Sequence, residues 1–222
     1  GCIEQTMSRF MPLLAAKQAG YITPALAKEL PKMAAAGIAG IRANQRADGG
    51  FGWFGDGASD PMMSAYVYWG IGVSERLFGK SAELTQTKTR AFEFLRGALA
   101  AGGLSDFEKT YIMFAMAENG ALYGSFADGV AKSAAAQGTY GKALSCIILQ
   151  RSGRTDAARK LLDSIVSANT WAKNPAHRIS ASADERWEND GIETAAAMLL
   201  AASRVGADQS VIRSLEEILV NS

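Results

Sequence analysis

Asp48-Gly49-Gly50-Phe51-Gly52-Trp53-Phe54, closed by Ser59-Asp60-Pro61 and followed by the apolar run from Met62 to Phe78, is the unit from which the architecture reads. The glycines make a loop, Asp60 stands where a helix N-cap is wanted, and Pro61 suits the first helical position. Tyrosines and Trp69 in the run then predict a helix facing a large core. The loop's own aromatics, Phe51, Trp53 and Phe54, are expected to plug the end of a helical barrel. Phosphate binding is the sharper alternative, but the Lys-Ser/Thr ending of a phosphate loop is missing.

Outward from this unit the same grammar returns. Gly102-Gly103-Leu104-Ser105-Asp106 introduces a helix with Tyr111, Phe114 and Met116, and Gln137-Gly138-Thr139-Tyr140 introduces one with Cys146. Trp187-Glu188-Asn189-Asp190 introduces Gly191 to Ala202. More polar helices are expected between them, over Leu84–Ala101, Gly120–Ala136, Thr155–Ala168 and Ser210–Val220. Upstream, Met7 to Ala19 has helical spacing and stops at Gly20. Thr23-Pro24 then caps a second helix running toward Arg46, with an interruption expected near Pro31. Its small residues from Ala34 to Gly40 suit close helix–helix contact. Apolar and amphipathic helices alternating every ~30–50 residues signal a repeat in which neighbouring hairpins bury one another. The fold expected is all-α: an α/α toroid, a double-layered helical barrel of the terpenoid-cyclase type.

Composition narrows the function classes. The 222 residues carry a net charge of +1, so nothing in the charge argues for nucleic acid or an acidic membrane surface. No stretch approaches the ~18 apolar residues of a membrane span, and no signal peptide is present. Cys146, inside Ala143-Leu144-Ser145-Cys146-Ile147-Ile148-Leu149, reads as a buried free thiol in preference to a disulfide partner of Cys2.

The chemistry points to the amino end, Gly1-Cys2-Ile3-Glu4-Gln5-Thr6. Residues three apart share one face of a helical turn, with roughly 5–6 Å between Cβ atoms. A thiol held beside a carboxamide can attack it and expel ammonia, joining the Cys2 sulfur to the Gln5 side-chain carbonyl as an internal thioester. Gly1, without a Cβ, leaves the sulfur uncrowded. Glu4 is either a local acid or base for ring closure or, the preferred reading, a residue well placed at a helix start. Taken by spacing alone, Cys2 is more often an inert small hydrophobe.

Gly1-Cys2-Ile3-Glu4-Gln5 resembles the GCxEQ thioester signature of the alpha-2-macroglobulin and complement family, and Thr6-Met7-Ser8-Arg9 is particularly like its bacterial members. Ile3 departs from the usual glycine or leucine without touching either reacting group. Asp48 to Phe54, Asp60-Pro61 with Ser64 to Val67, Thr139 to Leu144, and Trp187-Glu188 with Glu193-Thr194 resemble the family's later landmarks, in order. The resemblance covers essentially the whole of 1–222. It implies one thioester-containing toroid domain, cut from a larger multidomain protein.

Other chemistry fits less well. Cyclases need an acidic cluster that is absent, and a prenyltransferase-type zinc site needs ligands that one histidine and a buried Cys146 cannot supply. Asp60, Asp106 and Asp190 could be offered as a glycosidase pair, but each stands at a helix-cap position. No metal and no cofactor is expected. Complement-type relatives pass the acyl group through a histidine before the helix that starts here near Asp106. Gly102-Gly103-Leu104-Ser105 has none, and His177 falls far later, reading as a loop residue.

The resemblance thus implies a bacterial protease inhibitor of defence, periplasmic or secreted, with a lipoprotein anchor expected upstream. Bait cleavage exposes the thioester, and a lysine amine of the target protease attacks Gln5, releasing Cys2. The act is single-use, so no enzyme turnover is expected. Met7, Phe10 and Trp187 are candidates for shielding the bond from water, together with other domains of the parent chain. The alternative is a toroid enzyme or binding module in which the pentapeptide is coincidental.

Overall fold

The computed structural model describes residues 2–54, 57–121, 124–168 and 191–221, with the backbone alone at 124–126. Trp187, His177, Glu188, Asp190 and Gly1 lie outside them. Among the described residues the only β-type pairing is the isolated antiparallel bridge Phe51–Asp60, and all other regular structure is helical. The helices are α1 (Ile3–Gln18), α2 (Pro24–Asn44), α3 (Pro61–Phe78), α4 (Ala82–Ala101), α5 (Asp106–Glu118), α6 (Gly124–Ser133), α7 (Thr139–Arg151), α8 (Thr155–Ala168), α9 (Gly191–Val205) and α10 (Gln209–Val220). A short 3-10 turn, Ala134–Ala136, follows α6. The chain divides into two compact units, Gly1–Leu104 and Ser105–Ser222.

In the first unit α1 packs on both α2 and α3, and α3 on α4. Ile3, Met7, Phe10, Leu13 and Leu14 line one side of α1 and are buried. The predicted Thr23 cap forms, its Oγ1 accepting from the Leu26 N–H at 3.2 Å. The expected break near Pro31 does not occur, and α2 is continuous from Pro24 to Asn44. Pro31 and Ala27, whose carbonyl Pro31 cannot bond, are both exposed, so water can stand in for the missing N–H. The small residues of α2 do make close contact: a Cβ built on Gly37 would come 2.3 Å from the Phe10 ring, and one on Gly40 2.8 Å from the Thr6 methyl.

The glycine loop is a bracket between α2, α3 and α4. Asp60 caps α3 by accepting from the Met63 N–H at 2.7 Å, while the Asp60 N–H donates to the Phe51 carbonyl at 2.8 Å. Ser64 Oγ, buried, accepts from the Phe51 N–H at 2.8 Å. Asp48 Oδ1 accepts from the Gly50 N–H at 3.0 Å and from Ser59 Oγ at 2.8 Å. From α4, Arg90 donates to the Arg46 and Ala47 carbonyls at 2.6 and 3.0 Å. Gly49 takes φ +90° with the Arg90 carbonyl 2.5 Å from where a Cβ would stand, so no other residue fits there. Of the three aromatics expected to plug the barrel, only Phe51 is fully buried; Trp53 is 37% and Phe54 73% exposed. Arg46 donates to the Phe54 carbonyl.

In the second unit α7 is the hub, packing against α5, α6, α8 and α9, with α10 on α9. The layering predicted from the sequence is present. Thr110 through Glu118 of α5 and Tyr140, Gly141 and Ala143 through Leu149 of α7 are buried on all sides. The amphipathic α8 and α10 bury one stripe each: Ala158, Leu162 and Ile165, then Leu215 and Ile218. A helix apolar all round belongs inside and one with a narrow stripe outside, which is the two-layer grammar of the α/α toroid. The cap on α5 differs from the one expected. Ser105 is the N-cap, in a reciprocal box with Glu108, and Asp106 is the first helical residue, ion-paired with Lys109 at 3.3 Å. The hydroxyl one residue earlier reaches the N–H at the third helical position, which Asp106 cannot.

Two buried ion clusters hold the units internally. In the first, Lys88 Nζ lies 2.6 Å from Glu75 and 5.8 Å from the Tyr68 ring centre. In the second, buried Glu118 receives Arg151 at 3.0 Å and Arg204 at 2.8 Å. Burial pushes the Glu118 carboxyl up, but the combined hydrogen bonds and charges of Arg204 and Arg151 outweigh it and hold the group below its usual range.

Candidate functional site

α1 begins one residue after Cys2, which is its N-cap with extended backbone (φ −76°, ψ 165°). Counting from that cap, Gln5 is the third helical residue. Those two positions are the ones a capping box uses, where each side chain reaches the other residue's backbone N–H across the first turn. The same chain displays the geometry at α5. There Ser105 Oγ accepts from the Glu108 N–H at 3.2 Å, and the Glu108 carboxylate reaches back to the Ser105 N–H at 2.8 Å. At α1 the Cys2 side chain makes no capping hydrogen bond.

The backbone beneath the pair is fixed. The Cys2 carbonyl accepts from the Thr6 N–H at 3.2 Å and from Thr6 Oγ1 at 3.2 Å. The Thr6 methyl in turn sits where only Gly40 of α2 leaves room. One turn on, Met7 is fully buried with its methyl against Gly70 of α3, and Phe10 packs over Gly37. The glycines of α2 and α3 thus let α1 sink deep enough to be held from both sides. Cys2 is half-buried and Gln5 exposed.

Gln5 lies at one end of a groove of about 350 Å³ between α1 and α2, whose lining includes Arg9, Phe10, Leu13 and Met33. Met33 is 43% exposed. Phe10, one of the residues expected to shield the motif, forms part of this groove; Met7 faces the core beneath it; Trp187 is outside the described residues. Glu4 is exposed in the first turn, with Oε2 at 3.9 Å from Cys2 Sγ and Oε1 accepting from Ser8 Oγ at 2.7 Å. Ser8 carried no signal in the sequence beyond its i,i+4 spacing from Glu4, which puts both on one helix face.

The second cysteine is no partner for the first. Both thiols are free; Cys146 lies fully buried in α7, and burial pushes its thiol from an ordinary 9.0 up to about 12. A thiol so placed is inert. None of the helices, among the described residues, is long and apolar enough to cross a membrane.

No protein-family model matches the chain. Over 96 residues, 43% of its length, it is 36% identical to alpha-2-macroglobulin of Thermotoga maritima, and the match spans about 6% of that relative. Among solved structures, the native alpha-2-macroglobulin of Escherichia coli from domain MG7 to the C-terminus superposes with a TM-score of 0.75 at 18% identity, over 100% of this chain and 36% of that one. Salmonella alpha-2-macroglobulin reacted with methylamine gives 0.75 at 20% identity, over 100% and 15%. Trypsin-activated alpha-2-macroglobulin of E. coli gives 0.71 at 18%, over 100% and 16%. The chain is therefore similar to bacterial alpha-2-macroglobulins in sequence over nearly half its length and in fold over all of it.

Proposed function

We propose that residues 1–222 form the thioester-bearing domain of a bacterial alpha-2-macroglobulin-like protease inhibitor, one domain of a longer chain. The observation that carries the proposal is the placement of Cys2 and Gln5 at the N-cap and third positions of a helix gripped by its neighbours. In ring closure the Cys2 sulfur bonds to the Gln5 side-chain carbon and ammonia leaves. In discharge a lysine amine of a trapped protease attacks that carbon, an amide forms and the Cys2 sulfur departs.

Nothing regenerates the thioester after the amide has formed, so each molecule acts once and is an inhibitor rather than a turnover enzyme. The groove beside Gln5, apolar along Phe10, Leu13 and Met33, suits the aliphatic stem of a lysine approaching the carbonyl. It is also the face that other domains of the parent chain would cover to exclude water. Phe10 is the shielding residue at the groove; Trp187 belongs to the same proposal. A periplasmic or secreted location, with a lipid anchor on the parent chain, is part of this reading by likeness to the family.

The test is covalent. The parent protein, cut by a protease in the presence of labelled methylamine, should carry the label on Gln5 with a new thiol at Cys2, and C2A should take up none. Equal labelling of C2A, or a protease left uncoupled by both proteins, would favour a toroid enzyme or binding module instead.

A further inference from the structure

The carboxylate of Glu4 has its two oxygens divided between two partners. Oε1 is anchored by the Ser8 hydroxyl at 2.7 Å, and Oε2 faces Cys2 Sγ at 3.9 Å, within the reach of a sulfur hydrogen bond. Glu4 and Ser8 are one turn apart on α1, whose backbone is held by Gly37, Gly40 and Gly70 from outside. The carboxylate is thereby set at the sulfur that must lose a proton, one residue before the Gln5 whose amide nitrogen must gain one. A helix-start charge alone needs neither the serine nor the sulfur contact, since it acts through the backbone dipole wherever in the first turn it sits.

We infer that Glu4, positioned by Ser8, carries the proton between Cys2 Sγ and the nitrogen that leaves or arrives at Gln5; this rests on the thioester function proposed above. In ring closure Glu4 Oε2 takes the Sγ proton as the sulfur–carbon bond forms. The same proton passes to Gln5 Nε2 as the carbon–nitrogen bond breaks, so ammonia departs and the carboxylate is restored. In discharge the order reverses. An arriving amine gives a proton to Glu4 as its nitrogen bonds to the Gln5 carbon, and Glu4 returns it to the departing sulfur. Both steps conserve atoms and charge without any further reactant. Glu4 touches the reacting sulfur and is the catalytic group; Ser8 acts through it and is a positioning residue.

The experiment follows thioester formation, read as loss of one ammonia by mass, and methylamine uptake after proteolysis, in the parent protein and in C2A, E4Q, E4D, S8A and S8T. E4Q should slow both steps about a hundredfold, the usual scale of acid–base assistance. E4D keeps the charge in the first turn but draws the oxygens back from the sulfur, and it should be slow as well, with an unchanged melting temperature. S8A should be several-fold slow, and S8T, which restores a hydroxyl, should recover the rate. E4D at the wild-type rate would make Glu4 a helix-start charge and overturn the inference, as would S8A at the wild-type rate or no rescue by S8T. Wild-type protein taking up no methylamine overturns the thioester function itself, and this inference with it, whatever the variants do.

Discussion

Gly37 of α2 lies directly beneath the ring of Phe10 of α1, so closely that a single added carbon would stand 2.3 Å from the ring. Phe10 is 2% exposed and cannot swing away freely. The depth at which α1 sits, and with it the position of Cys2 and Gln5, is set by a missing methyl group on the neighbouring helix.

G37A should therefore lower stability by about 1–2 kcal/mol: overpacking at a filled site costs ~1–3 kcal/mol, offset by up to ~1 kcal/mol of helix propensity. G97A in α4 is the control, since nothing lies within 4 Å of its would-be Cβ. There the propensity gain stands alone, and a rise of ~0.5–1 kcal/mol is expected. Urea denaturation of the two variants should show opposite signs.

Glu118 gives an acid-side prediction. Its carboxyl is held below the ordinary range, so its contribution is fully present above pH ~4.5 and is lost as the pH falls below that value. E118Q should cost about 2 kcal/mol at neutral pH. That is less than the ~3–5 kcal/mol of a fully buried pair, because Arg151 and Arg204 keep some contact with water. The gap between wild type and E118Q should close on acidification, which guanidinium melts across pH 3–7 would follow.

Cys146 gives the alkaline counterpart. With its thiol raised to about 12 in the fold against an ordinary 9.0, the unfolded chain gives up this proton first. Between those values unfolding releases a proton, and stability should fall by up to ~1.4 kcal/mol per pH unit, a slope that C146A lacks. A thiol reagent at neutral pH should find one reactive group, Cys2, in the native isolated chain and two after denaturation. A blocked Cys2 in the native chain, one ammonia lighter by mass, would mean that the chain forms and protects the bond unaided.

C2S offers a cleaner separation of chemistry from fold. Serine followed three residues on by Gln5 is a capping box of the kind that Ser105 and Glu108 build at α5. The variant should be inert toward amines yet more stable than wild type by ~1 kcal/mol, measured by thermal melting.

Amines should also be preferred over alcohols. The segment before α5, Gly102 to Ser105, offers no imidazole to relay an acyl group, so methylamine should label Gln5 far more efficiently than glycerol. Equal labelling by the two would contradict the direct-attack mechanism proposed here.

The helices were legible because their signals are local. Thr23 with Pro24 and Asp60 with Pro61 mark starts that the structure reproduces, and the alternation of apolar and amphipathic runs locates the inner and outer layers. What was missed depends on surroundings that no window of sequence contains. Pro31 should have broken α2, and does not; it and Ala27, whose carbonyl it cannot bond, lie on the exposed side. Asp106 has the right chemistry for a cap but stands one residue inside Ser105. Phe54 looks like core and is exposed, on a loop whose backbone Arg46 binds at the Phe54 carbonyl. At the motif the spacing of Cys2 and Gln5 is visible in the sequence, whereas no spacing shows that Ser8 binds Glu4 or which carboxylate oxygen it engages.

The division of labour along α1 bears on how such a protein can change over generations. What seats the helix is three glycines at which an added carbon would press on Phe10, Thr6 or Met7, while the sulfur proposed to react is one that a single oxygen atom can replace without harm to the scaffold. Reactivity is therefore easily surrendered and architecture is not, and lineages with a sound frame and no warhead are expected to outnumber those with the opposite fault.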